Sequence, residues 1–401
     1  MTTGSPRSKE EVKQGSNDAR KKRSPFPSAG VSLPMTVYHF NRRWARRAAH
    51  CVDWIGTRLF RPRDHSTSSL VTHHSALIKR VALLRWEQLG DVVVTLPALA
   101  AARAAWPGTH VTLIVRPELV AWLQDAGVAD TVIGLQPPWQ AWRPGNWIRL
   151  LRLARRFDLA FDFLGDPRNI LCARLLARHA VGYAVRGGGF LLSRVAAYRP
   201  DLPIAQQHLR LLEVAAPTPA HLPVSPRCRA AAAQLLPATV GDFVVLHPGA
   251  GQPSKAWPHW QALALHLGGG AACVLTGTRA EAPQTAALAA ALRRNGHRVW
   301  DLAGRTGLPA LVGILGRARW VLAPDTGVIH LARALGTPTL ALFGPVNPEV
   351  WGYAEPRHRS LVAPQSCSFC AQRRCPRRQD PGRCLAAIPA PAVVNALREL
   401  V

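Results

Sequence analysis

Acidic residues are scarce in this 401-residue chain: 23 Asp and Glu stand against 50 Lys and Arg, a formal net charge of +27. Such a field says little about fold. It does favour polyanionic surroundings, whether nucleic acid, anionic lipid headgroups, or phosphorylated substrates and glycolipids. Also missing is any uncharged apolar run of about 18 residues, the length a helix needs to cross a bilayer. The amino terminus has no signal-peptide core, so neither a spanning helix nor export is expected. A cytosolic or cytosol-facing location is the expectation, and there eight cysteines need not form disulfides, because that compartment keeps thiols reduced. No strand-like run is followed by G-x-G-x-x-G with an acid about 20 residues on, which argues against a nicotinamide-dependent oxidoreductase. No groove-reading or base-stacking module is recognisable, so specific nucleic-acid binding is not expected despite the charge.

What is present is a hydrophobic content of 48% with 18% charged residues, a soluble globular balance in a chain long enough for two domains plus extensions. Residues 1–34 are polar, with the basic run Arg20-Lys21-Lys22-Arg23, and read as a disordered tail. Residues 35–77 hold an amphipathic basic helix and a linker. Val37, Phe40, Trp44, Ala48, Cys51, Ile55 and Leu59 recur at helical spacing, with Arg42, Arg43, Arg46, Arg47 and Arg58 on the other face. That pattern suits a helix lying in an anionic membrane interface, or one packed on the protein's own surface, with the dense arginines favouring the membrane. Residues 78–215 alternate strand-like and helix-like runs, starting with Arg80 to Arg85 and a helix from Asp91 in which Pro97 is a conflict. Residues 216–240 open with the proline-rich APTPAHLPVSPR and read as a linker, and residues 241–401 resume the βα alternation. The expected class is α/β: two Rossmann-like domains facing each other across a cleft, with a basic amino-terminal extension.

Candidate chemistry sits where strands end. Trp320 to Ala323 reads as a strand and Val328 to Leu335 as a helix, so Pro324-Asp325-Thr326-Gly327 is the turn between them. Asp325 and Thr326 are expected to cap that helix, Gly327 to let a ligand approach the backbone, and His330 to face the same mouth. Such a turn serves either as a plain cap or as an anion site for a diphosphate. His247-Pro248-Gly249-Ala250-Gly251 leads to Lys255, an ammonium suited to a phosphate, and Thr276-Gly277 leads to Glu281, a carboxylate suited to ribose hydroxyls. Together these describe a nucleotide-diphosphate site. Asp91, directly after the first strand, is either a helix cap or a general base facing the cleft. Gly187-Gly188-Gly189 is weak as a phosphate loop and reads as a flexible loop over an acceptor site.

The ordered set of Arg85-Trp86-Glu87-Gln88-Leu89-Gly90-Asp91 through Thr95-Leu96-Pro97, His247-Pro248-Gly249-Ala250, Lys255-Ala256-Trp257-Pro258, Thr276-Gly277 and Pro324-Asp325-Thr326-Gly327 with His330 resembles glycosyltransferase family 9, the ADP-heptose:lipopolysaccharide heptosyltransferases. The resemblance covers about residue 78 onward. It implies a GT-B architecture and an inverting transfer of a heptose or related sugar from an ADP-sugar to a lipid A–Kdo or heptosylated core acceptor. No cofactor is required in that family, and the enzyme works as a peripheral protein on the inner face of the inner membrane. Asp91 matches the family's catalytic base, and Lys255, Glu281, Asp325, Thr326, Gly327 and His330 match positions that hold the ADP-sugar. Pro97 belongs to the motif, whereas the first 77 residues or so lie outside the family pattern. The rival readings are a nucleic-acid-binding protein and a non-catalytic sugar-nucleotide binder. Cys367, Cys370, Cys375 and Cys384, spaced C-x2-C-x4-C-x8-C, are compatible with a structural zinc site, with free thiols or with disulfides.

Overall fold

In the computed structural model, residues 51–58, 78–139, 144–215, 221–268, 270, 272–352 and 355–400 are described. The expected tail over 1–34 and most of the extension over 35–77 lie outside them. Residues 51–58 form a helix, α1. The first lobe then runs β1 (Arg80–Arg85), α2 (Leu89–Ala105), β2 (His110–Val115), α3 (Pro117–Asp125), β3 (Thr131–Gly134), α4 (Pro144–Arg152), β4 (Phe157–Asp162), α5 (Pro167–Leu176), β5 (Ala177–Gly182), β6 (Arg194–Val195) and α6 (Ile204–Leu212). After α7 (Pro226–Ala233) the second lobe begins with β7 (Phe243–Leu246), α8 (Trp260–His266), β8 (Ala272–Leu275), α9 (Ala282–Arg294), β9 (Arg298–Asp301) and α10 (Leu308–Leu315). It continues through β10 (Val321–Pro324), α11 (Gly327–Ala334), β11 (Thr339–Phe343), α12 (Pro348–Trp351), β12 (His358–Val362), α13 (Arg383–Ala386) and α14 (Ala390–Arg398).

All strand pairs are parallel, and the two sheets share one winding: β3-β2-β1-β4-β5-β6 and β12-β11-β10-β7-β8-β9. Helices cover both faces, so the central strands are buried on both sides and read as continuous apolar runs such as Val-Ala-Leu-Leu in β1 and Val-Leu-Ala in β10. The order reverses between β1 and β4 in one sheet and between β7 and β10 in the other. Crevices open at such switch points, at the carboxyl ends of the strands. The chain leaving β1, β7 and β10 carries Asp91 in the first turn of α2, His247 to Lys255, and Asp325.

Three details differ from the sequence reading. Within the expected linker, residues 226–233 form helix α7, opened by Ser225, whose hydroxyl accepts the Cys228 N–H (3.2 Å). This helix packs so tightly on α10 that a Cβ on Gly313 would sit 2.1 Å from the Cys228 carbonyl oxygen. Pro97 lies inside α2, where it removes one ladder bond and leaves the helix continuous. The Gly187-Gly188-Gly189 loop is held down: Gly188 donates its N–H to the Asp53 carboxylate of α1 (2.7 Å), and residues Gly189–Leu191 form a 3-10 turn. Both Gly187 and Gly188 have positive φ, which explains the glycines without a phosphate.

Candidate active site

Helix α2 starts at the carboxyl end of β1, and Asp91 occupies its first turn. Its Oδ2 accepts the Gln88 N–H (3.1 Å), so a capping role is realised; Oδ1 has no protein donor among the described residues. Beneath it Arg85, only 3% exposed, donates from Nε to the Asp91 carbonyl (3.1 Å) and to Thr95 Oγ1 (2.8 Å), fixing the turn from below. Arg85 Nη1 lies 3.2 Å from Glu87 Oε2. Asn169, in the first turn of α5, donates to Glu87 Oε1 (3.4 Å).

Glu87, Asp162 and Asn169 were not singled out from the sequence. Asp162 ends β4, is fully buried, and accepts the N–H groups of Gly165 (2.7 Å) and Leu164 (3.3 Å). Burial, reinforced by the nearby Glu87 charge, pushes its carboxyl up to about 7. Burial also raises Glu87 against the lowering charge of Arg85, and the Asp91 carboxylate adds to the rise. Three carboxylates thus meet at the carboxyl edge of the first sheet. The signal available in sequence was an Asp ending an apolar strand, Phe157 to Asp162, just ahead of a Gly-Asp-Pro turn. Trp86 Nε1 and Asn169 Oδ1 are buried there without protein partners among the described residues.

On the second lobe, the structure brings Lys255, Asp325 and His330 into contact. Lys255 Nζ lies 2.6 Å from Asp325 Oδ2, and His330 Nε2 lies 3.2 Å from Asp325 Oδ1. Burial alone would raise the Asp325 carboxyl. The His330 hydrogen bond and the Lys255 charge outweigh it and hold the carboxyl below its ordinary value. This corrects the expectation that Asp325 and Thr326 cap α11: Asp325 is occupied by the ion pair, and Thr326, though at the N-cap position, makes no side-chain cap bond. The Thr326 hydroxyl is instead a buried oxygen with no protein partner among the described residues, at a helix amino end where anions are favoured. Glu281 does not touch this trio. Its Oε2 accepts the Thr278 N–H (2.7 Å) and hydroxyl (2.9 Å), and the carboxylate lies over Gly249, where a Cβ would come within 2.4 Å of Oε1. Beside it His247, lowered chiefly by burial, bonds Thr276 Oγ1 through Nδ1 (3.0 Å).

The lobes meet at these loops. A Cβ on Gly90 would lie 3.1 Å from His330 Cδ2 and 3.2 Å from Gly327 Cα, and one on Gly327 would lie 3.0 Å from the Gly90 nitrogen. Two helix amino ends, those of α2 and α11, therefore converge, with Asp91 next to the contact. Lys255, Asp325, Thr326, Gly327 and His330 are gathered on the facing side.

The four tail cysteines do not assemble as the zinc reading requires. All are free thiols, and among the described residues no three His, Cys, Asp or Glu come together to hold a metal. Cys384 is buried in α13 against Gly344, while Cys367, Cys370 and Cys375 stay half-exposed on the preceding segment.

Two doubly wound sheets with a cleft at facing switch points define a GT-B-type architecture. The comparisons agree. Residues 156–379 match the profile of glycosyltransferase family 9 (heptosyltransferase). Lipopolysaccharide heptosyltransferase 1 of Pseudomonas aeruginosa is 31% identical over 327 residues, covering 74% of this chain and 87% of that protein. The fold is similar to that of E. coli ADP-heptose LPS heptosyltransferase II, with a TM-score of 0.65 at 19% identity over 80% of this chain and 98% of that one. It is similar also to E. coli heptosyltransferase WaaC with ADP-2-deoxy-2-fluoro heptose, with a TM-score of 0.62 at 22% identity over 80% and 100%. The chain belongs to glycosyltransferase family 9 and is a glycosyltransferase of the heptosyltransferase type.

Proposed function

We propose that the chain transfers a heptose from ADP-heptose to the inner core of lipopolysaccharide, with inversion, and that Asp91 is the base. The observation that carries this reading is the apposition of Gly90-Asp91 with Gly327 and His330 across the cleft. The acceptor hydroxyl oxygen attacks the anomeric carbon, the bond from that carbon to the ADP oxygen breaks, and Asp91 takes the hydroxyl proton. Charge developing on the departing diphosphate falls at the α11 amino end beside Thr326, Gly327, His330 and Lys255. Glu281, beside the Gly249 loop, holds ribose hydroxyls. The donor of the WaaC complex and the name of the Pseudomonas relative support the choice of ADP-heptose and lipopolysaccharide.

Among the described residues no helix is long and apolar enough to cross a membrane. Peripheral binding to an anionic membrane surface is part of the proposal. Val52, Trp54 and Ile55 of α1, Ile148 and Leu151 of α4 and Leu171 of α5 are exposed, and Arg149, Arg152, Arg155 and Arg156 follow closely in sequence. The test of function is direct: purified chain, ADP-heptose and a lipid A–Kdo acceptor, with products read by mass spectrometry. A heptose added to the acceptor with stoichiometric ADP release is expected. No transfer to this or to a heptosylated core acceptor, with no ADP binding, would refute the reading.

A further inference from the structure

The segment between β12 and α13, which the zinc reading leaves unexplained, forms one wall of a cavity of about 610 Å³. Gly251, Gln252 and Pro253, just before Lys255, line it too, and Arg373 and Arg374 are the lining residues contributed by the segment that carry charge. The segment is pinned to the donor lobe. Phe369 and Ala371 donate their N–H groups to the carbonyls of Gly344 (3.0 Å) and Pro345 (2.7 Å), the first residues past β11, and Ser254 donates its N–H to the Arg373 carbonyl (3.4 Å). To make these contacts Phe369 and Ala371 adopt φ of 62° and 54°, the left-handed region that side-chain-bearing residues avoid. Strain of this kind is kept where the surroundings over-determine it, commonly at ligand-binding segments.

The charges point the same way. Arg377 of this segment and Arg383 at the start of α13 are both paired with Asp380, whereas Arg373 and Arg374 have no acidic partner among the described residues. Ser254, 4% exposed, keeps a hydroxyl without a protein partner at the edge of the same loop. Two uncompensated guanidiniums opposite a glycine-containing backbone suit an oxyanion, which each guanidinium can grip with parallel N–H donors.

We propose that this cavity is an anion subsite, in which Arg373 and Arg374 take a phosphate or carboxylate group of one of the two substrates. The proposal rests on the transfer reaction above and extends it. The chemistry is shared by the donor's diphosphate and by the acidic groups of the acceptor, and the experiment separates the two.

In the full-length chain, Arg373→Gln/Arg374→Gln is compared with wild type and with Arg373→Lys/Arg374→Lys. Loss of both exposed charges is expected to raise one KM about tenfold at little-changed kcat, with the lysine pair recovering most of the loss. A rise in donor KM together with weaker ADP binding by calorimetry assigns the site to the donor; a rise confined to the acceptor KM assigns it to the acceptor. Unchanged values for both substrates overturn the proposal, as does an identical defect in the lysine pair. Thermal melting identifies a glutamine variant that has not folded. In that event the single Arg374→Gln is read instead, with about a threefold effect expected and none overturning the proposal. Should the wild type show no heptose transfer, the functional reading fails by itself. The cavity is then judged by inorganic pyrophosphate titrated into wild type and glutamine variant, where equal affinity overturns it.

Discussion

Replacing Asp162 by asparagine should make the protein's stability respond to pH in a way that reports the buried acid cluster. The carboxyl lies fully buried at the end of β4 and titrates near 7 in the folded chain, against an ordinary carboxylate in the unfolded one. Its folded-state value is raised, so the folded state binds the proton more tightly. The wild type is therefore unpenalised at low pH and loses stability as pH rises toward 7. Between pH 5 and 7 the unfolded chain has already released the proton, and each pH interval costs about 1.4 kcal/mol, about 3 kcal/mol in all. Buried His208, His247 and His358, all lowered, push the wild-type profile the opposite way over this range, so the absolute curve is uninformative. The difference between variant and wild type cancels them. Asparagine keeps an acceptor for the Gly165 N–H and is expected to lose about 1 kcal/mol at the second bond, a constant offset. Urea unfolding at pH 5 and pH 8 should show the variant gaining about 3 kcal/mol on wild type across the interval. Parallel profiles would mean that Asp162 is already ionised in the folded chain and would refute the cluster's electrostatics.

Two further outcomes follow from the packing and the ion pair. Gly313→Ala forces a Cβ to within 2.1 Å of the Cys228 carbonyl and drives α7 from α10, so chemical denaturation should reveal a loss of about 3 kcal/mol or more. A loss under about 0.5 kcal/mol would contradict that contact. Lys255→Met leaves Asp325 buried with only His330, and is expected to cost about 2 kcal/mol at neutral pH while weakening ADP binding in calorimetry about tenfold or more. The Asp325 carboxyl is lowered in the folded chain, so this stabilisation is present above the ordinary carboxylate range and is lost as pH falls. The wild-type advantage should therefore shrink below about pH 4. An advantage independent of pH would show that the ammonium acts through packing alone.

The double α/β architecture was legible because its central strands are buried on both faces and so appear as short apolar runs, and because each candidate loop follows such a run. Strands β5, β6 and β12 were not. β5 reads Ala-Arg-His-Ala-Val-Gly and starts directly after α5, β6 has two residues, and β12 carries His358 and Arg359. Their pairing is set by neighbouring strands rather than by their own hydrophobicity. The site was legible as a set of loops but not as contacts. Asp325 finds Lys255 across 70 positions, which removes it from capping, and Glu87 finds Asn169 across 82.

The most direct test of the account is turnover by Asp91→Asn, measured with ADP affinity on the same preparation. Asparagine retains an oxygen for the Gln88 N–H, so the helix start is preserved and the fold should stay intact. The account predicts a kcat lower by about 10² to 10⁴, with ADP binding within about twofold of wild type. A kcat within about threefold of wild type, or nucleotide affinity falling in step with turnover, would instead make Asp91 a structural cap and leave the transfer without its base.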